Sequence, residues 1–140
     1  MADLNRFVEA QAPVIERALA ELRAGCKQSH WMWFVFPQLK ALGRSPTALF
    51  YGLEGLAEAR AYWAHPVLSP RLKECVLAAL GVGSKTAHEI FGSPDDLKFC
   101  SCLTLFESAS DEACFGAALE RFYGGQRDET TLALLRAGHG

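Results

Sequence analysis

Apolar positions in this chain recur mainly at helical spacing. Val14, Ala18, Leu19 and Leu22 fall on one stripe of a helix opened by Pro13. Phe115, Leu119 and Phe122 share a face between Glu112 and Tyr123. The segments Gly55 to Ala64 (Leu56, Ala59, Ala61, Tyr62, Trp63) and Pro70 to Leu80 (Leu72, Cys75, Val76, Ala79, Leu80) carry comparable sets. Shorter helices are predicted near Asp3 to Gln11, Pro46 to Tyr51 and Lys85 to Phe91. Longer ones cover Pro94 to Glu107 and run from Asp128, as cap, through Leu135.

The punctuation agrees with helices. Ser45-Pro46, Ser69-Pro70 and Ser93-Pro94 each offer a hydroxyl for the N-cap and a proline for the first helical position, where no N–H is needed. Gly25, Gly81, Gly92 and Gly124 follow apolar segments and suit left-handed C-caps. His65-Pro66 marks a turn, because the residue before proline avoids helical geometry.

Only "WMWFVF" (31–36) has the β-prone, aromatic character of a buried strand. A lone strand has no partner, so the run reads as a helical turn or an extended core segment stopped by Pro37. With no linker, low-complexity tract or internal repeat, the expectation is all-α: one compact orthogonal multi-helix domain of short helices over residues 1–140.

One helix departs from the amphipathic rule. From Pro94, "PDDLKFCSCLTLFES" places Leu97, Phe99, Cys100, Cys102, Leu103, Leu105 and Phe106 nearly all round, the pattern of a helix in the middle of a fold. Lys98, Ser101 and Thr104 interrupt it. Buried lysines need partners. Lys98 therefore either reaches solvent and pairs with Asp95, or faces a polar cavity with Ser101 and Thr104 beside it. The start of this helix offers free N–H groups to an anion, while Asp95 and Asp96 already complement its dipole.

Composition narrows the function classes. The chain has 140 residues, is 50% hydrophobic and carries a formal charge of −2 with no basic block. Nucleic-acid binding and polybasic membrane anchoring are disfavoured. No apolar run is long enough for a membrane span, and the N-terminal stretch lacks a signal-peptide core. The five cysteines (Cys26, Cys75, Cys100, Cys102, Cys114) match no zinc spacing and read as reduced thiols of a cytoplasmic protein. His65, His88 and His139 have no partner at ligand spacing, so no metal site is expected. No nucleophile elbow, Walker loop or dinucleotide fingerprint occurs, and no cofactor is implied.

Candidate chemistry concentrates in "KQSHWMWFVFPQ" (27–38). His30 is a candidate acid–base group, the role in catalysis that histidine most often fills. Trp31 and Trp33 offer flat faces to a base or nicotinamide ring, or fill the core. Lys27 suits a phosphate, Ser29 lies in the same polar end, and the Gln38 amide suits a polar ligand edge or a neighbouring helix end.

The strings "KQSHWMWFVFPQ", "LGRSP", "ARAYWAHPVLSPRLKEC", "HEIFGSPDDLKFCSCLTLF" and "ALERFYGGQRDETTLALL" occur in the order seen in the DUF1810 family. The chain resembles that family from about Leu4 to Leu135. The resemblance implies an all-helical fold and no particular activity. The family segment usually reads K-L-R-S-S-M-T-L-F; here Cys100 and Cys102 stand where that pattern has arginine and serine, while Lys98, Ser101 and Thr104 are kept. A fainter likeness, in helix order and the region Ile90 to Asp95, is to NADAR-type domains, which are linked to ADP-ribose derivatives.

Two functional readings follow. In one, a cleft between the 27–38 segment and the Lys98 helix binds or hydrolyses a small nucleotide-like ligand derived from ADP-ribose or NAD. His30 and Lys98 are then the catalytic candidates; Lys27, Ser29, Trp31, Trp33, Gln38, Asp95, Ser101 and Thr104 contact the ligand. In the other, the helices form a non-enzymatic module presenting an apolar groove to a protein partner. The two differ on whether His30, Lys98 and Ser101 converge on one pocket.

Overall fold

The computed structural model describes residues 4–138. They form α1 (Asn5–Gln11), α2 (Ile15–Ala24), α3 (Met32–Val35), a 3-10 turn (Lys40–Leu42), α4 (Pro46–Phe50), α5 (Leu56–Ala64), α6 (Leu68–Leu80), α7 (Ala87–Phe91), α8 (Asp95–Ala109), α9 (Ala113–Tyr123) and α10 (Glu129–Arg136). No β-strand occurs among the described residues; one isolated parallel bridge joins Leu39 to Leu53. The all-α expectation is met. Asp3 and His139 lie outside the described residues.

The helix that reads as apolar on every side is the centre of the molecule. α8 packs against α5, α7, α9 and α10. Phe99 and every residue from Ser101 to Phe106 are buried. The Phe99 ring lies 4.9 Å from Phe36, 4.5 Å from Phe91 and 5.9 Å from Phe122, centre to centre. These contacts tie α8 to the residue that ends α3 and to α7 and α9, and each buried ring removes on the order of 150–250 Å² from water. Two hydroxyls are tolerated in this core because they bond back into their own helix. Ser101 Oγ donates to Leu97 O at 3.1 Å and Thr104 Oγ1 to Cys100 O at 2.8 Å. α2 packs on α6, and α1 on α3.

The Ser-Pro device holds at one of three places. Ser45 accepts from the Ala48 N–H at 3.1 Å and caps α4, with Pro46 in its first turn. At Ser69 the helix begins earlier, at Leu68. The His65 Nδ1 accepts from the Val67 and Leu68 N–H groups at 3.1 and 3.3 Å, and the Ser69 hydroxyl donates to His65 O at 2.9 Å. A side chain upstream of the turn thus does the capping. At α8 the cap position is Pro94, without a side-chain cap. The α7 start carries a capping box that the pattern "TAHE" spells out: Thr86 and Glu89 bond each other's backbone. Among the expected glycine caps, Gly25 and Gly124 are left-handed, whereas Gly81 has φ −69°.

The aromatic run is one helical turn, α3, followed by chain that turns at Pro37. Lys40 N–H donates to Leu53 O at 2.8 Å and Leu53 N–H to Gln38 O at 3.0 Å. This seam needs glycine beside it, since a Cβ on Gly52 would meet Lys40 Cα at 2.4 Å. The close approach fixes Gln38 against the α4–α5 connection.

Candidate functional site

The polar loop before α3 is held by one carboxylate. Glu21, on α2, accepts from the Gln28 N–H at 2.9 Å, the Ser29 N–H at 3.1 Å, the Ser29 hydroxyl at 2.5 Å and Trp31 Nε1 at 2.9 Å. Burial raises its pKa, but these hydrogen bonds outweigh burial and bring it down to about 2. Trp31 is only 1% exposed and sits 6.1 Å from the Phe36 ring. Trp31 and Ser29 are therefore structural: their polar atoms face Glu21.

The same loop meets α8 through an acid shared by two lysines. Lys27 Nζ lies 2.9 Å from Asp95 Oδ2, and Lys98 Nζ lies 3.1 Å from Asp95 Oδ1. Lys27 also donates to Ser29 O at 2.8 Å, and its backbone N–H to Ile90 O at 2.8 Å. Lys98 stands over Trp33, 3.9 Å from the ring centre, and Lys27 over Trp31 at 5.1 Å. Burial raises the Asp95 pKa, and the hydrogen bonds from Lys27 and Lys98 more than reverse this, leaving it below the ordinary aspartate range. The two readings of Lys98 thus combine: it pairs with Asp95 and also faces a groove.

That groove has a volume of about 410 Å³. It is lined by Trp33, Gln38, Leu42, Arg44 and Ser45 from the 33–45 segment and by Pro94, Leu97, Lys98 and Ser101 of the α8 start. Asp128 and Thr130, at the start of α10, close one end. Gln38 is 8% exposed, and its side-chain amide has no partner among the described residues. No fully buried side-chain nitrogen or oxygen there lacks a hydrogen bond, so the amide opens into the groove. Arg44 is exposed on the wall and forms no ion pair among the described residues. Asp128 is engaged: its Oδ2 accepts from the Thr131 N–H at 2.9 Å and from the Thr131 hydroxyl.

Of the candidates read from sequence, Trp33, Gln38, Lys98 and Ser101 line this groove, and Lys27 and Asp95 connect to it through Lys98. His30 and Thr104 do not join them, so the expected three-way convergence of His30, Lys98 and Ser101 is not met: only Lys98 and Ser101 share the groove. His30 is exposed and absent from the lining. Thr104 is fully buried, and its hydroxyl accepts from the Asp128 N–H at 2.9 Å. Sequence reasoning missed Glu21, Leu42, Arg44 and Thr130. It read Asp128 as a helix cap alone, though it also walls the groove. A cation beside a Ser-Pro cap was the available signal for Arg44. Glu21 offered none beyond lying next to an apolar stripe.

A second hollow of about 330 Å³ adjoins the first across Leu97 and Asp128 and contains Cys100, Tyr123 and Arg127. Cys100 faces it as a half-buried thiol whose pKa burial pushes up to about 11. Arg127 is committed to Glu107 through two hydrogen bonds. His88 Nδ1 approaches Asp96 at 3.4 Å. Among the described residues there is no cluster of three or more His, Cys, Asp or Glu that could hold a metal ion, and no helix long and apolar enough to cross a membrane.

Comparison with known proteins adds the family. The crystal structure of the conserved hypothetical protein Rv1873 from Mycobacterium tuberculosis is similar, with 54% identity over 96% of each chain and a TM-score of 0.94. No curated protein matches significantly, and the likeness to NADAR-type domains gains no support. A model described as a protein of unknown function, DUF1810, matches residues 1–135. With nearly the whole length matched, this chain belongs to the DUF1810 family.

Proposed function

We propose that the groove between α3 and α8 binds a small anionic ligand carrying a flat ring, of the nucleotide class that includes ADP-ribose and NAD derivatives. The observation that carries this reading is the convergence of an open amide, Gln38, with two cations, Arg44 and Lys98, and the Trp33 ring in one groove of about 410 Å³. That volume suits a small molecule. An amide presents one donor beside one acceptor, which matches a nucleobase edge or a carboxamide. Arg44 has its guanidinium uncommitted and suits a phosphate. Ser101 gives its proton to Leu97 O, so its hydroxyl has only lone pairs to offer and accepts from a ligand hydroxyl.

Binding is the core of the reading, and hydrolysis is its extension. Cleavage of an N-glycosidic bond passes through a cation-like transition state that a carboxylate stabilises. Asp128 is the carboxylate on the wall, and it also holds the start of α10. His30 stands outside the groove and has no part in this proposal. Calorimetric titration with AMP, ADP-ribose and NAD tests the reading. Saturable binding that Arg44→Ala and Lys98→Ala each weaken about tenfold or more is the expected result. Absence of binding by all three, or binding that neither variant changes, overturns it. Release of nicotinamide from NAD, followed over hours, decides the hydrolytic extension.

A further inference from the structure

The Lys27–Asp95–Lys98 group has more polar chemistry than holding a loop requires. Asp95 divides its two oxygens between the lysines at 2.9 and 3.1 Å, with side-chain exposures of 8% for Lys27, 18% for Asp95 and 19% for Lys98. Lysine has three donors, and Asp95 takes one of those on Lys98. The ammonium therefore stays available to the groove, but its charge is offset by a carboxylate in direct contact. Formal charges in the groove and connected to it through Lys98 are Lys27, Lys98 and Arg44 against Asp95 and Asp128. The excess is one positive charge.

Resting on the groove reading above, we propose that Asp95 is a charge-setting residue: it acts through Lys98, without touching the ligand, to limit how much each further negative charge on the ligand adds to affinity, so that polyphosphates gain little over a single phosphate ester. The partially buried setting strengthens the effect, because two charges in such places are screened less than in bulk water. Lys27 has the opposite role. It draws one Asp95 oxygen away from Lys98 and leaves that ammonium more exposed to a phosphate.

The two residues give opposite signs, which makes the inference testable with AMP, ADP and ATP as probes. Calorimetric titration is run on wild type, Asp95→Asn and Lys27→Met, with circular-dichroism melts to establish folding. Wild type is expected to bind ATP less than about tenfold more tightly than AMP. In Asp95→Asn, AMP affinity rises about threefold to tenfold and ATP affinity rises more, since removing one unit of charge acts on every phosphate. In Lys27→Met all three bind more weakly, with ATP losing most. An Asp95→Asn protein that folds and shows unchanged or weaker affinity overturns the inference. If Asp95→Asn does not fold, Lys27→Met decides alone, and unchanged affinities there overturn it. A wild type that binds ATP about tenfold or more tighter than AMP also overturns it. If wild type binds none of the probes, the groove reading itself fails, an outcome distinct from wild-type binding that Asp95 does not modulate.

Discussion

Lys98 holds its ammonium 3.9 Å from the centre of the Trp33 ring, and this contact joins the two segments that carry the candidate chemistry. Trp33 lies on α3 and Lys98 on α8, 65 positions later. A cation over an indole face contributes about 0.5–1 kcal/mol where partly exposed. It orders both groups on the groove wall. Among the described residues the ring has no aromatic neighbour, unlike Trp63, which packs on Phe115 at 5.2 Å.

Replacing Lys98 with Met should therefore cost little stability and much binding. The loss in folding free energy is expected to be about 1–2 kcal/mol, from the cation–π contact and the half-buried ion pair with Asp95. Nucleotide affinity should fall about tenfold. Lys98→Arg should retain part of both, because a guanidinium also stacks on an indole. Tryptophan emission provides the readout: a ligand-dependent change is expected in wild type and absent in Trp33→Phe. A full ligand response in Trp33→Phe would show that the ring is not part of the site.

Glu21 makes stability depend on acid. Its ordinary pKa of 4.5 falls to about 2 in the folded chain. The folded state holds the ionised form more tightly, so the contribution is complete above the unfolded value and is lost as pH falls from about 4.5 towards 2. Glu21→Ala should lower stability at pH 7 by about 2–4 kcal/mol, since Trp31 Nε1 and two backbone N–H groups lose their acceptor. Denaturant midpoints at pH 7, 4 and 2.5 test this. Glu21→Gln should flatten the change between the two lower values, and a variant as acid-sensitive as wild type would refute the assignment.

Thiol reactivity should separate the cysteines by burial. Burial pushes the Cys75 thiol up to about 12 and those of Cys100 and Cys114 to about 11, and drives Cys102 well above its ordinary value. Cys26 is exposed. The thiolate is the reacting species. An aromatic disulfide reagent at pH 8 should therefore find one fast thiol in the native protein and five in denaturant. Cys26→Ser should remove the fast phase; a second fast thiol that survives this change would contradict the burial order.

How much was legible follows from the range of the interactions involved. Local rules served where the interaction is local. The all-round apolar pattern of 94–107 placed α8 at the centre because burial follows from composition. Ser45 was found because an N-cap needs only three residues of context. Failures came where the deciding partner is remote. Ser69 and Ser93 carry the same Ser-Pro pair, but the first yields to the His65 side chain and the second precedes a helix with no side-chain cap. Lys98 was recognised as needing a partner, and Asp95 three residues earlier was readable as one. Lys27 sharing that acid was not, nor was Glu21 as the acceptor for Ser29 and Trp31, because these contacts cross between elements. Trp31 and Trp33 look alike in sequence, two positions apart. Their fates differ because Glu21 draws one indole N–H inward while Lys98 holds the other ring at the wall.

Thr104 tests whether the anchoring of the α10 start matters to binding. It is wholly buried, donates to Cys100 O at 2.8 Å and accepts from the Asp128 N–H at 2.9 Å. Thr104→Val preserves shape but leaves that backbone N–H at the start of α10 without its acceptor. The expected cost is about 1–3 kcal/mol, or roughly 3–10 °C in melting temperature for a chain of this size. Because Asp128 and Thr130 wall the groove, loosening the α10 start should also weaken nucleotide binding severalfold. Thr104→Ser keeps the hydroxyl and removes one methyl group. It should restore affinity while remaining about 1 kcal/mol less stable than wild type. That split distinguishes a positioning role from simple packing: if Thr104→Ser and Thr104→Val lose affinity equally, the Asp128 contact does not organise the site.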